Sequence, residues 1–260
     1  MMKYWSVFRC AAQTRFAYHR DILLRNIFFF ILIYIFYRLW FVLNQSGILS
    51  ERYSYVQLVW YVIITQSLIG AFATLKGIVD LEIQSGRIGV MLIRPYNYLL
   101  YHLCEFLGKT VVMLINNFLI GVVFGWVVVG TPPLSFVQVV LFVPVCLLSL
   151  LLYFFVEFLI ALLAFWTENT PPFFWFYQKI VFFFGGLLIP IEYYPSILKL
   201  VSQYLPFQYM LYFPAKLFVG FDFSATRHAL LVQCVWVLLS VGASWICFQR
   251  ALRRIAIHGG

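Results

Sequence analysis

The sequence predicts an all-α membrane protein with six transmembrane helices, and three observations carry that prediction. The 260-residue chain is 64% hydrophobic and only 10% charged, with a mean hydropathy of +0.94. A soluble domain averages roughly 45–50% apolar and about 25% charged. The apolar residues gather into six runs near the length of about 20 residues that a helix needs to cross a hydrocarbon core. The basic residues flank those runs and largely avoid their interiors. Backbone polar groups in lipid must be satisfied internally, so the runs are helices; a barrel would show short alternating strands, and none appear. No composition shift marks a second domain, and residues 1–260 read as one transmembrane unit.

The first 25 residues carry Lys3, Arg9, Arg15, Arg20 and Arg25 throughout. That distribution differs from a cleavable signal peptide, with its short basic start and apolar core. Trp5, Phe8, Ala12 and Phe16 recur at helical steps, which predicts an amphipathic helix over Met2–Phe16 lying on the cytoplasmic membrane surface. The plainer alternative is a basic topogenic flank. The first two spans follow within 26–75, at Asn26–Leu43 and Tyr55–Leu75.

Residues 76–109 form an inner loop that mixes charges with apolar residues at helical spacing. Gly86 and Gly89 punctuate it, and Arg94-Pro95 closes it, because the residue before proline is pushed out of the helical region. A short cytoplasmic helix there makes a rigid knob that a partner grips; an ordinary interfacial loop is the alternative. Three spans follow within 110–189: Thr110–Val129, with a helix that begins as early as Tyr98, then Val137–Phe165 and Phe173–Ile189. Gly121 and Gly125 form a small-xxx-small pair suited to close helix packing.

Glu157 and Lys179 fall inside the fourth and fifth spans, at similar distances from the short connection Thr167–Pro172. A charge at mid-bilayer costs about 2.5–3.5 kcal/mol on insertion scales. Pairing is therefore favoured, and a structural Glu157–Lys179 ion pair is expected, with a substrate or proton site as the alternative.

Residues 190–226 are apolar but cut by Pro190, Pro195, Pro206 and Pro214, so none of the pieces crosses as one straight helix. Short half-helices that dip into the outer leaflet and return fit this pattern, and so does a loop lying in the headgroups. The last span, Ala229–Phe248, and a basic tail complete residues 227–260.

Orientation follows from Lys and Arg. With both termini cytoplasmic, the inner side holds the five tail residues, Lys76, Arg87, Arg94, Lys109, Arg250, Arg253 and Arg254. The outer side holds only Arg52, Lys199, Lys216 and Arg227. The net charge of +9 therefore reads as membrane topology, and no nucleic-acid partner is implied.

Catalytic chemistry is absent from the sequence. Gly108-Lys109-Thr110 imitates the end of a phosphate-binding loop, but the required earlier glycine is Leu103. His19, His102, His228 and His258 are scattered, as are the five cysteines, so no metal site, disulfide framework or cofactor site is expected.

Taken in order, several segments resemble the membrane subunits of type-two ABC exporter permeases, in particular a bacterial branch of drug- or antibiotic-export type. They are Glu82–Gly86 through Leu92–Pro95, Phe165-Trp166-Thr167, Gly185-Gly186 through Pro190 and Pro195, Leu205-Pro206-Phe207, and Tyr212-Phe213-Pro214 with Gly220. The resemblance implies a chain in the bacterial inner membrane that pairs with a second permease subunit, identical or homologous. It also implies separate ABC ATPase subunits that bind ATP and Mg and sit against the N-terminal and inner-loop helices. By position, Asp80, Glu82, Arg87 and Arg94 become candidate ATPase contacts. Gly185, Gly186, Pro190, Pro195, Pro206 and Pro214 become candidates for an outer exit gate. The double proline Pro171-Pro172 departs from the family pattern and unsettles the start of the fifth span. A membrane-embedded lipid-modifying enzyme and a non-transporting scaffold are the competing readings.

Overall fold

Long apolar runs become long helices here, and the proline-cut stretch becomes short ones. The computed structural model describes residues 2–47, 53–132, 134–167 and 169–258. Arg52, counted above on the outer side, lies outside them, as do the side chains of His19, Arg254 and His258. Every element among the described residues is helical. In chain order they are α1 (Met2–Ala17), α2 (His19–Gln45), α3 (Tyr55–Ala71), α4 (Ile78–Gln84), α5 (Arg87–Ile93), α6 (Tyr98–Val129), α7 (Phe136–Ala161), α8 (Pro171–Phe184), α9 (Ser196–Tyr204), α10 (Tyr212–Val219) and α11 (Phe223–His258). Single 3₁₀ turns follow α7 at Leu162–Phe165, precede α9 at Ile191–Tyr193 and separate α9 from α10 at Pro206–Tyr209.

Among the described residues, four segments are long and apolar enough to cross a membrane: Arg20–Gln45, Tyr98–Val129, Phe136–Phe165 and Phe223–Arg253. The other two expected spans are shorter. α3 has 17 residues and α8 has 14, about 26 Å and 21 Å at 1.5 Å per residue, against a hydrocarbon core of about 30 Å. α8 starts at Pro171, two residues earlier than expected, because proline is tolerated in the first helical turn, where its missing N–H has no partner to lose. It stops before Gly185, short of the expected Ile189.

α3 is the axis of the bundle. Every residue from Leu58 to Leu68 is buried, as expected of a helix that is apolar all round, and α2, α6 and α10 enclose it. The glycine pair seats α6 against it: a Cβ on Gly121 would lie 2.6 Å from Ile63, and one on Gly125 2.7 Å from Trp60.

α1 runs along the first turns of α6. Its backbone comes so close at Gly108 that an added Cβ would lie 2.4 Å from the Phe8 carbonyl. That contact rotates the helix relative to the expected apolar face. Tyr4, Val7, Phe8 and Ala11 turn inward, while Trp5 and Phe16 are 65% and 64% exposed.

The start of α1 and the last turns of α11, which make the terminus-bearing end, lie at one end of the bundle with α4 and α5. Tyr98 at the start of α6 stacks on Phe248 of α11 with ring centroids 5.4 Å apart, and the Asn97 N–H donates to the Tyr4 hydroxyl at 2.9 Å. The opposite end carries Tyr53, Glu192 and the end of α10.

From that far end, α9 and α10 form a re-entrant pair. The turn between them, Pro206–Tyr209, reaches the level of Ser149, about 20 Å along α7 from its first turn. Backbone at such depth needs internal partners. The Tyr209 carbonyl receives the Ser149 hydroxyl at 2.9 Å and the Gln233 amide at 3.0 Å.

Candidate functional site

The chemistry-bearing residues collect at the two ends. At the terminus-bearing end, the inner loop, expected to hold one short helix, holds two helices of seven residues each, broken at Ser85-Gly86. Gly86 has φ +69°, a left-handed conformation that glycine adopts without steric cost. Arg94 is extended (φ −67°, ψ 147°) before Pro95, as that proline requires.

Three buried carboxylates clamp this block to the bundle. Glu157 of α7 accepts from the Leu75 backbone N–H at 3.0 Å, the Thr74 hydroxyl at 3.1 Å and the Tyr153 hydroxyl at 3.2 Å. The expected ion pair with Lys179 is absent: Glu157 is fully buried, while Lys179 is exposed and its ammonium lies 5.5 Å from the Trp175 ring centroid. Distance from the connecting turn says nothing about rotation around a helix, and the two side chains point to different surroundings. Beyond the end of α3, the linker offers Glu157 a backbone N–H and a hydroxyl, which satisfy a buried carboxylate without a cation.

Asp80 of α4 accepts from the Thr170 hydroxyl, and the Thr170 N–H lies 3.4 Å from the same oxygen. Glu82 accepts from the Tyr98 hydroxyl, and His102 Nε2 lies 3.3 Å away with its N–H off the hydrogen-bonding line. Burial alone would push the Glu82 carboxyl up in pKa. The contacts with His102 and Tyr98 outweigh it and hold the group below the usual glutamate range.

Asp80 and Glu82 are therefore anchors and do not face outward as the expected contact residues would. They stand about 200° apart around a helix, yet both are buried, because α4 lies in a crevice between the end of α7 and the start of α6. The outward face belongs to Leu81, Val90 and Ile93, at 67%, 54% and 87% exposure, together with Arg87 and Arg94. Of the four residues singled out from sequence, only the two arginines are available at the surface.

At the far end, the glycines and prolines shape the re-entrant segment. Gly185 ends α8, and its carbonyl accepts from the Tyr212 N–H at 3.0 Å. Gly186 is left-handed at φ +68° and its carbonyl accepts from the Tyr61 hydroxyl. Pro190, Pro195 and Pro206 each stand at the start of a turn or helix. Pro214, expected to cut the chain, sits third in α10, where a helix has no internal acceptor for the N–H that proline lacks.

Glu192 gathers the Tyr53 hydroxyl at 2.9 Å, the Lys216 ammonium at 2.7 Å and the Tyr212 hydroxyl. Burial raises its pKa, but Lys216 and Tyr212 outweigh that and hold it low.

Two capping boxes pin α10 from both sides. Ser54/Gln57 and Ser135/Gln138 open α3 and α7, and each glutamine amide continues onward. Gln57 donates to the Val219 carbonyl at 2.8 Å, and Gln138 to the Leu217 carbonyl at 2.9 Å. Sequence reasoning missed these residues, although the S-x-x-Q spacing before each apolar run was a readable signal. It also missed Gln233, whose signal was a lone amide within the last apolar run, and the anchors Tyr98, His102 and Thr170, for which no local signal exists.

The sequence was compared with known proteins. A family model described as ABC-2 family transporter protein matches residues 27–259, and no curated protein matches significantly. The match takes in most of α2 and all of α3 to α11, and it coincides with a helical architecture built around membrane-length apolar segments. The chain belongs to the ABC-2 family of transporter proteins.

Proposed function

We propose that this chain is the membrane-spanning permease subunit of an ATP-driven exporter, working with an ABC ATPase on a separate polypeptide. ATP and Mg bind to that partner, and this chain carries no cofactor of its own. It moves an amphiphilic or hydrophobic substrate out of the cytoplasm or the inner leaflet of a bacterial inner membrane. The end bearing both termini faces the cytoplasm, in line with its excess of Lys and Arg. α2, α3, α6, α7, α8 and α11 make six crossings, with the segment after α8 completing the fifth. A second permease subunit, identical or homologous, pairs with this one, and the re-entrant segment around Gly185, Gly186 and the prolines serves as the outer gate.

The observation that supports this reading most is the α4–α5 block. It is fixed on its inner side by Asp80, Glu82 and Glu157, while its outer side leaves Leu81, Val90, Ile93, Arg87 and Arg94 bare. A rigid block with an uncovered apolar and basic face transmits force from a protein that docks there. The test is co-expression with ATPase candidates of the same genome, isolation in detergent and measurement of ATP hydrolysis. A stable complex whose hydrolysis depends on this chain is the expected result. Absence of any associating ATPase would remove the reading.

A further inference from the structure

We propose that the notch between α4 and the end of α7 receives a cationic side chain, arginine or lysine, of the docked ATPase, with the free oxygen of Asp80 as its counter-charge. This inference rests on the exporter reading and names the chemistry of its interface. A cavity of about 400 Å³ lies there, and Asp80, Gln84, Phe165, Trp166 and Thr167 are among the residues lining it. Gln84 and Trp166 at its edge are exposed, so a side chain can enter the notch from outside, although Asp80 Oδ1 at its base is covered before one does.

Asp80 itself is only 7% exposed. Its two oxygens have different fates: Oδ2 is held by Thr170, whereas Oδ1 has no hydrogen-bond partner. Among the described residues, no Lys or Arg nitrogen lies within 4.0 Å of the carboxylate. A buried, half-satisfied carboxylate is costly unless a donor arrives. Glu157 differs, because both of its oxygens accept from donors within the chain.

The walls select the donor. Trp166 offers the aromatic face that attracts a guanidinium or ammonium most strongly, and the carboxylate supplies a charge-assisted hydrogen bond. The notch adjoins the exposed Leu81 and Arg87 of the α4–α5 face, so an ATPase seated on that face passes directly over it. Thr170 holds the carboxylate in place before the partner arrives, so little ordering is lost on binding.

The test uses the full permease–ATPase complex in detergent, with binding kinetics followed on immobilised permease. Asp80→Asn keeps the Thr170 hydrogen bond and removes the charge. It is expected to weaken ATPase binding about tenfold, mainly through faster dissociation, with the melting temperature of the permease alone unchanged. Thr170→Val releases the other oxygen and serves as the positioning control, with a smaller loss of affinity. Asp80→Asn binding the ATPase as tightly as wild type would overturn the inference while leaving the exporter reading intact. Failure of the wild-type permease to bind any ATPase would instead remove that reading. If Asp80→Asn does not fold, Trp166→Leu decides: severalfold weaker binding supports the notch, and unchanged binding overturns it.

Discussion

The two ends of this bundle solve the same problem with different chemistry. Each must hold short, broken helices against a long-helix frame. At the terminus-bearing end the fasteners are carboxylates: Glu157, Asp80 and Glu82 reach backbone N–H groups, hydroxyls and one imidazole. At the far end they are mostly neutral amides: Gln57, Gln138 and Gln233 cap carbonyls of the re-entrant pair, with Glu192–Lys216 as the single ion pair among the described residues there. The difference follows from which backbone groups are left over. Beyond the end of α3 a free N–H projects and needs an acceptor. At the end of α10 and in the turn before it free carbonyls project and need donors. A fastener made of charge is strong but demands complete satisfaction, whereas an amide tolerates a partial match.

Substitutions sharpen this contrast, beginning with the largest effect. Glu157→Ala leaves the Leu75 N–H and the Thr74 hydroxyl without their acceptor. A loss of about 3 kcal/mol is expected from hydrogen bonds broken and donors left unpaired in a buried site, read as a lower unfolding midpoint in detergent. Glu157→Gln should retain much of that stability; if it proves as damaging as alanine, the charge and not the acceptor is what matters. At the far end Gln57→Ala and Gln138→Ala should each cost about 1–2 kcal/mol, as lost caps do. The pair should be close to additive, because each glutamine reaches its own carbonyl. A large interaction energy would mean that α10 is held as one unit from both sides.

Acid gives a third and smaller comparison. Glu82 and Glu192 both titrate below an ordinary glutamate, whose pKa is about 4.3. Each contributes its full stability above that value and loses it as pH falls through the depressed folded value. The melting temperature should therefore hold from pH 7 to about pH 5 and drop below about pH 4. Glu192→Gln should remove part of the drop. Survival of the entire drop in that variant would place it elsewhere. The smallest stability effects belong to Arg87→Ala and Arg94→Ala, within about 0.5 kcal/mol for exposed positions; their expected effect is on ATPase coupling alone.

Much of the frame was legible before the structure. α3 and α7 begin at or next to the expected residues, and the glycine pair of α6 packs as its spacing implies. Four prolines imply that residues 190–226 break into short pieces, and short helices are what they form. Rotation and partner choice were not legible. Composition places Glu157 at a depth, but only the packed linker shows that Leu75 is the donor facing it. Asp80 and Glu82 became candidate contacts by their position in the inner loop, and the crevice that buries both is made by distant segments. The break at Gly86 was visible as a glycine, yet its left-handed φ depends on how α5 packs.

The most direct test asks which end the ATPase touches. In a background with Cys10, Cys104, Cys146, Cys234 and Cys247 replaced by serine or alanine, a single cysteine is placed at Ile93 on the α5 face or at Ile197 on α9. These sites are 87% and 80% exposed, so reactivity alone does not favour either. With a thiol-to-amine cross-linker and the co-expressed ATPase, an adduct is expected from Ile93→Cys and none from Ile197→Cys. An adduct at Ile197→Cys, or at neither site in a preparation that hydrolyses ATP, would contradict the account.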